Sequence, residues 1–477
     1  MLQSDNRLVT RLTLVAALGG LLFGYDTAVI SGAVTSIDAN FITPLNLSET
    51  AKNSLSGWTV SSALFGCIVG AAIAGWISAI FGRRGGLVLA AILFVISAVG
   101  SAVPEFGLVP IGKADPRVLT AFIVYRVLCG TGIGIASMLS PLYIAEVAPG
   151  HARGRLISYN QMAIVLGILF VYFVNWLISV QGDDEWLRTV GWRLMFGSEV
   201  VPALCFLALL FQVPETPRWL AMKGYHAEAH AVLLRLVGED EAELTRIEID
   251  ASLVVQRAKL FAFGGLLIVI GITLSVLQQF VGINAVLYYA PLMFQNMGAH
   301  TDIALLQTIL VGGVNVACTL IAIFTVDRLG RKPLLIAGGL IMGAAMFFLS
   351  YLFVTESLGV VALVAILIYI GGFALSWGPV VWVLLAEIFP NSIKGRAMAI
   401  AVAAQWIANL LVSWSFRVID GSSTLNSVFH HGLAYAIYGA MSFLAALFVW
   451  RFVPETKGRR LEKIQELWRP SEALGGR

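Results

Sequence analysis

Charge is what this chain of 477 residues has least of: Asp, Glu, Lys and Arg supply 12%, against 58% hydrophobic residues. A soluble domain carries about a quarter charged residues, so a water-soluble globule is excluded and a bilayer is the expected solvent. Cysteine is sparse as well. Cys67, Cys129, Cys205 and Cys318 all fall inside apolar runs, which excludes a disulfide-stapled scaffold and leaves them as small packing residues. The six histidines lie in loops and polar stretches without metal-site spacing, and they are expected to be solvated. There is no Walker sequence, which removes direct drive by ATP. Nor is there a nucleophile–base or metal constellation, so neither an enzyme nor a bound cofactor, metal or nucleic acid is expected. Gly130-x-Gly132-x-Gly134 looks like a dinucleotide fingerprint, but it sits in an apolar run with no strand before it. Close helix packing accounts for it better.

What is present is length in apolar runs. Stretches of about 20 residues, enough to cross a bilayer, recur along nearly the whole chain. They lie near 9–30, 55–80, 86–103, 118–139, 156–180, 193–213, 262–290, 304–326, 333–354, 359–385, 397–416 and 432–453. The fold class expected is therefore an all-α integral membrane protein of about twelve transmembrane helices. A stretch of eleven residues also recurs in outline: Ala145–Arg155 is echoed by Ala386–Arg396, with Glu, Pro and Arg each 241 positions apart (387−146, 390−149, 396−155). Gly82-Arg83-Arg84 pairs with Gly330-Arg331-Lys332, and Pro214-Glu215-Thr216 with Pro454-Glu455-Thr456. A period near half the chain predicts two pseudo-symmetric six-helix bundles, a mark of secondary transporters. The division expected is 1–213 for the first bundle, 214–260 for a polar linker, 261–453 for the second bundle and 454–477 for a tail.

Basic residues gather in alternate connections and the tail, whereas Asp38, Glu49, Asp183, Asp184, Glu185, Asp302 and Glu356 mark the others. By the positive-inside rule both termini are expected in the cytoplasm. Asp26 interrupts the first apolar run, which is long enough to stay as a span rather than be cleaved as a signal. Apolar residues at helical spacing in the linker (Ala231, Leu234, Leu236; Leu244, Ile247, Ile249) predict short amphipathic cytoplasmic helices. Leu461, Ile464 and Leu467 predict one more in the tail.

Two sets of polar residues lie at membrane depth. Asp26 in the first span costs about 2.5–3.5 kcal/mol to place there, so it needs a partner or a task. Arg126 in the fourth span is the partner nearest by helix order, and Glu199 in the sixth is another titratable group. A fixed structural ion pair is one reading. A proton switch is the other, since burial and a neighbouring guanidinium act on a carboxyl in opposite directions. The second set is neutral: Gln161, Gln278, Gln279, Asn284, Asn315 and Gln405, interleaved with Phe23, Tyr288, Tyr289, Phe373, Trp382 and Trp406. Amides donate and accept without charge, and flat rings face the C–H side of a sugar, so a carbohydrate site competes here with simple interhelical bonding. Glycine in Val281-Gly282-Ile283-Asn284 permits a helix break.

Gly19–Ala28, Gln278–Asn284, Ser376-Trp377-Gly378-Pro379 and the two Pro-Glu-Thr endings carry a resemblance to the sugar porter family of the major facilitator superfamily, over nearly the whole length. The resemblance implies import of a monosaccharide, D-xylose or D-glucose, with a proton, by a monomer in the cell (inner) membrane that works by alternating access. It implies that Gln161, Gln278, Gln279, Asn284, Asn315, Trp382, Gln405 and Trp406 meet the sugar, with Phe23, Ile168, Tyr288, Phe373 and Gly378 beside them. It implies that Asp26 takes the proton, that Arg126 is its partner and that Glu199 tunes them. A cytoplasmic latch is implied for Arg83, Arg84, Glu146, Arg153, Glu215, Arg218, Arg331, Glu387, Lys394 and Arg396. Facilitators in the family carry a neutral residue where Asp26 stands, which points to symport; a uniporter or a sugar-sensing receptor are the rival readings. Three positions depart from the pattern. Ile168, two turns after Gln161, is glutamine in xylose carriers and apolar in glucose facilitators; Ala79 replaces an acid; Lys394 replaces an arginine and loses its bidentate fork.

Overall fold

The computed structural model describes residues 6–112, 115–149, 153–253, 260–261, 263–390 and 393–457. Every regular element among them is helical. Eleven helices are long and apolar enough to cross a membrane. One of them, Glu49–Ala102, has 54 residues, about 80 Å of helix against a hydrocarbon core of about 30 Å, so it must cross twice. It breaks at Gly82 (φ 84°, ψ 178°), which makes it the second and third spans and the total twelve. The others are, in order, Arg7–Gly32, Arg117–Val147, Arg155–Ser179, Asp184–Leu210, Gly265–Asn296, Thr301–Val326, Arg331–Val354, Val360–Leu385, Gly395–Asp420 and Leu433–Phe452. Trp76, Phe81, Val201, Phe324, Val360 and Trp450 stay exposed. In water that would be an aggregating surface; against lipid tails it is the expected one.

The described residues fall into two compact units. One comprises Met1–Ser36 with Ser62–Gln256, the other Ile37–Ser61 with Arg257–Arg477. In the first, the first span packs along the fifth and fourth. The second and fourth spans cross so closely that a Cβ at Gly130 or Gly134 would strike the backbone of Ala63 or Cys67. That is the packing role their spacing suggests. In the second unit, the ninth span packs on the twelfth and tenth, and the seventh on the eleventh. The linker forms helices Pro217–Met222, His226–Val237 and Glu239–Leu253, around a small core of Leu220, Ala221 and Ala229. The tail residues Leu461, Ile464 and Leu467 lie outside the described residues.

All three sequence echoes meet in space, once per unit. Glu215 accepts from the Arg83 and Arg84 backbone N–H groups at 3.1 and 3.0 Å, just where Gly82 opens the third span. Glu455 does the same for Arg331 and Lys332, at 3.1 and 3.0 Å, after Gly330 (φ 91°). A helix start has orphan N–H donors and a positive dipole end, so a carboxylate settles there. The positive φ is what turns the chain into the new helix, and only glycine adopts it without strain. Arg83 then grips Glu146 with two bonds (2.9 and 2.8 Å) while the Thr216 hydroxyl donates to the same carboxylate at 2.7 Å. Arg331 and Thr456 hold Glu387 likewise, at 2.9 and 2.5 Å.

Two surface expectations need correction. Asp38, expected in a solvated connection, is buried and pairs with Arg417 at 2.7 Å. His431, expected in solvent, is half-buried with Nδ1 2.9 Å from Asp420 Oδ1. Hydropathy alone does not reveal either, because a polar loop and a buried polar knot at a span's end have the same composition.

Candidate functional site

Within the first unit, Asp26, Arg126 and Glu199 converge. Their exposures are 0%, 1% and 0%. Asp26 stands in the first span and Arg126 in the fourth. Glu199 is placed by a turn at Ser198–Glu199 that interrupts the sixth span before Val200–Leu210. Arg126 Nη1 donates to Asp26 Oδ1, and Nη2 to the Asp26 backbone carbonyl at 3.3 Å. The guanidinium lies 5.4 Å over the Phe196 ring, a cation–π contact strengthened by dryness. Tyr25 and Ser198 share a 2.6 Å hydrogen bond beside the group. Asp26 Oδ2, Glu199 Oε2 and Arg126 Nε are buried with no hydrogen-bond partner among the described residues.

With every member ionised, two carboxylates and one guanidinium carry a net charge of −1 at membrane depth. One bound proton makes the group neutral. Removing a lone charge from water costs several kcal/mol, so proton occupancy and the surroundings of this group are bound together. The sequence reading missed Cys129, taken for a packing residue; its Sγ lies 4.0 Å from Glu199 Oε1. Ligand atoms of Asp26, Cys129 and Glu199 fall within 4.8 Å of one another, but Arg126 already provides the positive charge there.

Also in the first unit, Gln161 and Phe23 are half-buried and Ile168 is buried. Sequence reasoning missed a further buried ion pair in this unit as well. Glu105, fully buried, binds Arg193 through both oxygens, and Arg193 stacks 4.4 Å over Trp192.

The second unit gathers the amides. Its seventh span breaks at Gly282 (φ 94°) between Gly265–Phe280 and Ile283–Asn296. Its tenth breaks at Ser376, between Val360–Leu375 and Trp377–Ile388. Gln278 joins the two breaks: Nε2 donates to the Trp377 carbonyl at 2.8 Å. Gln279 Nε2 reaches Gln278 Oε1 at 3.5 Å, and Asn284 Nδ2 donates to Gln279 Oε1 at 2.6 Å. Ser376 Oγ takes up the Gly372 carbonyl at 2.6 Å. Asn315 and Gln405 are buried in the eighth and eleventh spans outside this chain of bonds, and Gln405 Oε1 is a buried acceptor without a partner among the described residues. Tyr288, Trp406 and Gly378 are buried; Trp382 and Phe373 are half-buried. The arrangement offers donors and acceptors without charge, beside rings, on helices broken at Gly282 and Ser376.

The remaining expected residues are at the span ends. Arg84 caps the sixth span by donating to the Leu210 and Phe211 carbonyls at 2.9 and 3.3 Å. Arg218 and Arg396 are exposed. The side chains of Arg153 and Lys394 lie outside the described residues. Trp219 donates to the Ala79 carbonyl at 3.4 Å. Each charged knot, Arg83–Glu146 and Arg331–Glu387, closes within its own unit.

A family model described as "Sugar (and other) transporter" matches residues 12–468. The chain is 54% identical to the D-xylose-proton symporter of Escherichia coli, over 98% of this chain and 97% of that one. It is 49% identical to the glucose facilitated diffusion protein of Zymomonas mobilis, over 98% and 99%. A solved structure of the E. coli xylose transporter, in a partially occluded inward-open conformation, superposes with a TM-score of 0.88 at 53% identity, covering 95% of this chain and all of that one.

Proposed function

This chain belongs to the sugar transporter family, and from that premise we propose that it is a proton-coupled monosaccharide symporter working by alternating access. It is a multi-span membrane carrier and not an enzyme. D-Xylose is the substrate we put first, from the 54% identity to a D-xylose-proton symporter. We put the protein in the cell (inner) membrane as a monomer, both termini cytoplasmic, since basic residues mark that side.

The observation that carries coupling is the buried group of Asp26, Arg126 and Glu199, fully enclosed and one proton from neutrality. With the site open outward, the group takes a proton and sugar binds. With it open inward, the proton leaves and Arg126 re-engages the Asp26 carboxylate. Within the second unit we assign sugar contact to Gln278, Gln279, Asn284, Asn315, Gln405, Trp382, Trp406, Tyr288, Phe373 and Gly378; within the first, the residues assigned a part in sugar recognition are Gln161, Ile168 and Phe23. The knots around Glu146 and Glu387 are assigned to hold the cytoplasmic span ends. One proton moving down about 100 mV yields about 2.3 kcal/mol, and each pH unit adds about 1.4 kcal/mol. Together these sustain accumulation of several hundredfold.

A second reading is facilitated diffusion of a hexose, favoured by the apolar Ile168 and by the 49% identity to a glucose facilitator. One experiment separates the two. In proteoliposomes with an imposed proton gradient, wild type accumulates D-xylose, and Asp26→Asn exchanges labelled sugar at equilibrium but accumulates none. Accumulation by Asp26→Asn removes coupling from this group; no accumulation by wild type selects the facilitator.

A further inference from the structure

The first unit holds an open groove of about 700 Å³, lined by Arg7, Thr10, Arg11, Leu14, Val15, Leu18 and Leu209. It takes no part in the assignments above. Arg7, Arg11, Leu14 and Leu18 fall at i, i+4, i+7 and i+11 of the first span, so they form one stripe. The stripe has polarity along its length: guanidinium groups at the end of the span, then leucine and valine toward its middle, with Leu209 of the sixth span as the far wall. Arg11 Nη2 donates to Gln212 Oε1 at 2.5 Å, which fixes that guanidinium at the mouth. The same end of the sixth span carries the Arg84 guanidinium on the Leu210 and Phe211 carbonyls. A ligand that fits must be anionic at one end and hydrocarbon at the other, aligned with the membrane normal.

We infer that this groove is a binding site for one anionic phospholipid, its phosphate on Arg7 and Arg11 and an acyl chain along Leu14, Val15, Leu18 and Leu209. Guanidinium forks match phosphate oxygens with paired bonds, which a zwitterionic lipid meets less well because its own ammonium offsets the charge. The inference needs only that the chain spans a membrane; it stands or falls apart from the sugar and the proton.

The test is native mass spectrometry of the detergent-purified full chain, loaded in turn with phosphatidylglycerol and phosphatidylcholine. Wild type retains one phosphatidylglycerol in preference to phosphatidylcholine. Arg7→Gln with Arg11→Gln loses that retention by about thirtyfold, the worth of two interfacial basic residues, while sugar exchange is unchanged. Leu209→Trp, which fills the groove and leaves the charges, also lowers retention, so the result does not hang on the double variant folding. Equal retention of the two lipids overturns the inference. So does undiminished retention in both variants. Displacement of the lipid by soluble glycerol phosphate alone would make this a small-anion site and overturn it as well.

Discussion

At the scale of single residues, the amides of the second unit carry the sharpest expectations. Gln278 is buried and donates to the Trp377 carbonyl while accepting from Gln279. Its Ala variant removes both bonds and leaves the Gln279 side chain held by Asn284 alone. Calorimetry should show sugar affinity lower by about tenfold or more, the worth of one to two hydrogen bonds; unchanged affinity would take Gln278 out of the site. Ile168, buried two turns from Gln161, predicts a change of preference instead. Ile168→Gln adds an amide where an apolar wall stood, so competition assays should shift toward pentose over hexose by several-fold, the size of one hydrogen bond. An unchanged ratio would show that Ile168 does not read the sugar. Asp26 and Arg126 were legible in the sequence because a charge inside an apolar run is costly and therefore conspicuous. Cys129 was not, since a thiol has the composition of a packing residue and only the fold brings it to Glu199. Asp38, Glu105 and His431 were illegible for the opposite reason: each lies at a span's end, where polar residues are unremarkable until their partners are known.

At the scale of elements, the repeated motifs make two caps with the same bonds but different surroundings. Glu215 is pushed above its ordinary value of 4.5, first by burial, against the Thr216, Arg83 and Arg84 amides that favour its charge. Glu455 is also partly buried, but the N–H groups of Lys457, Arg331, Lys332 and Thr456 outweigh that and hold it below 4.5. The signs then separate. The Glu455 cap contributes stability that is complete above about 4.5 and lost only as pH falls through its lower folded value. Glu215 has the opposite sign: with its folded value raised, it contributes stability that is present below about 4.5 and lost as pH rises through the folded value. Hydrogen exchange, corrected for intrinsic rates, should show the Arg331 and Lys332 amides losing protection as pH falls through the Glu455 value, while the Arg83 and Arg84 amides gain protection as Glu215 takes its proton. Glu215→Gln should erase the step at 83–84 and leave that at 331–332. Simultaneous loss at both caps would refute the difference. The sequence announced these elements through their echoes, and it announced the Gly282 break. It did not announce the break at Ser376, because serine carries no signal comparable to a glycine with positive φ.

At the scale of the whole molecule, the duplication of 241 positions foretold two halves of similar construction. Chain order did not foretell that Ile37–Ser61 groups by contact with the second unit while its neighbours on both sides group with the first. The ties of that segment are polar. Arg417 bonds Asp38 at 2.7 Å and Ser56 at 3.2 Å, Asn53 donates to the Gly421 carbonyl at 2.6 Å, and Trp414 to the Ser54 carbonyl at 3.1 Å. Behind Arg417 stands Asp420, which faces His431 at 2.9 Å and Asn296 at 3.1 Å. The hydrogen bond to Asp420 holds the His431 imidazolium above its ordinary value of 6.5, against burial and the nearby Arg417 charge. A histidine raised in this way contributes stability that is fully present below about 6.5 and disappears as pH rises through the folded value. Above that value Asp420 loses one cation and draws more heavily on Arg417, which then has less to give to Asp38. Exchange at the 37–61 amides should therefore accelerate, after intrinsic correction, as pH rises from about 6.5 through the folded value. His431→Gln should flatten that dependence at the faster level, and Asp38→Asn should leave the segment in faster exchange at both ends of the range. A wild-type segment equally protected throughout would mean that Asp38 and Arg417 hold without help from His431.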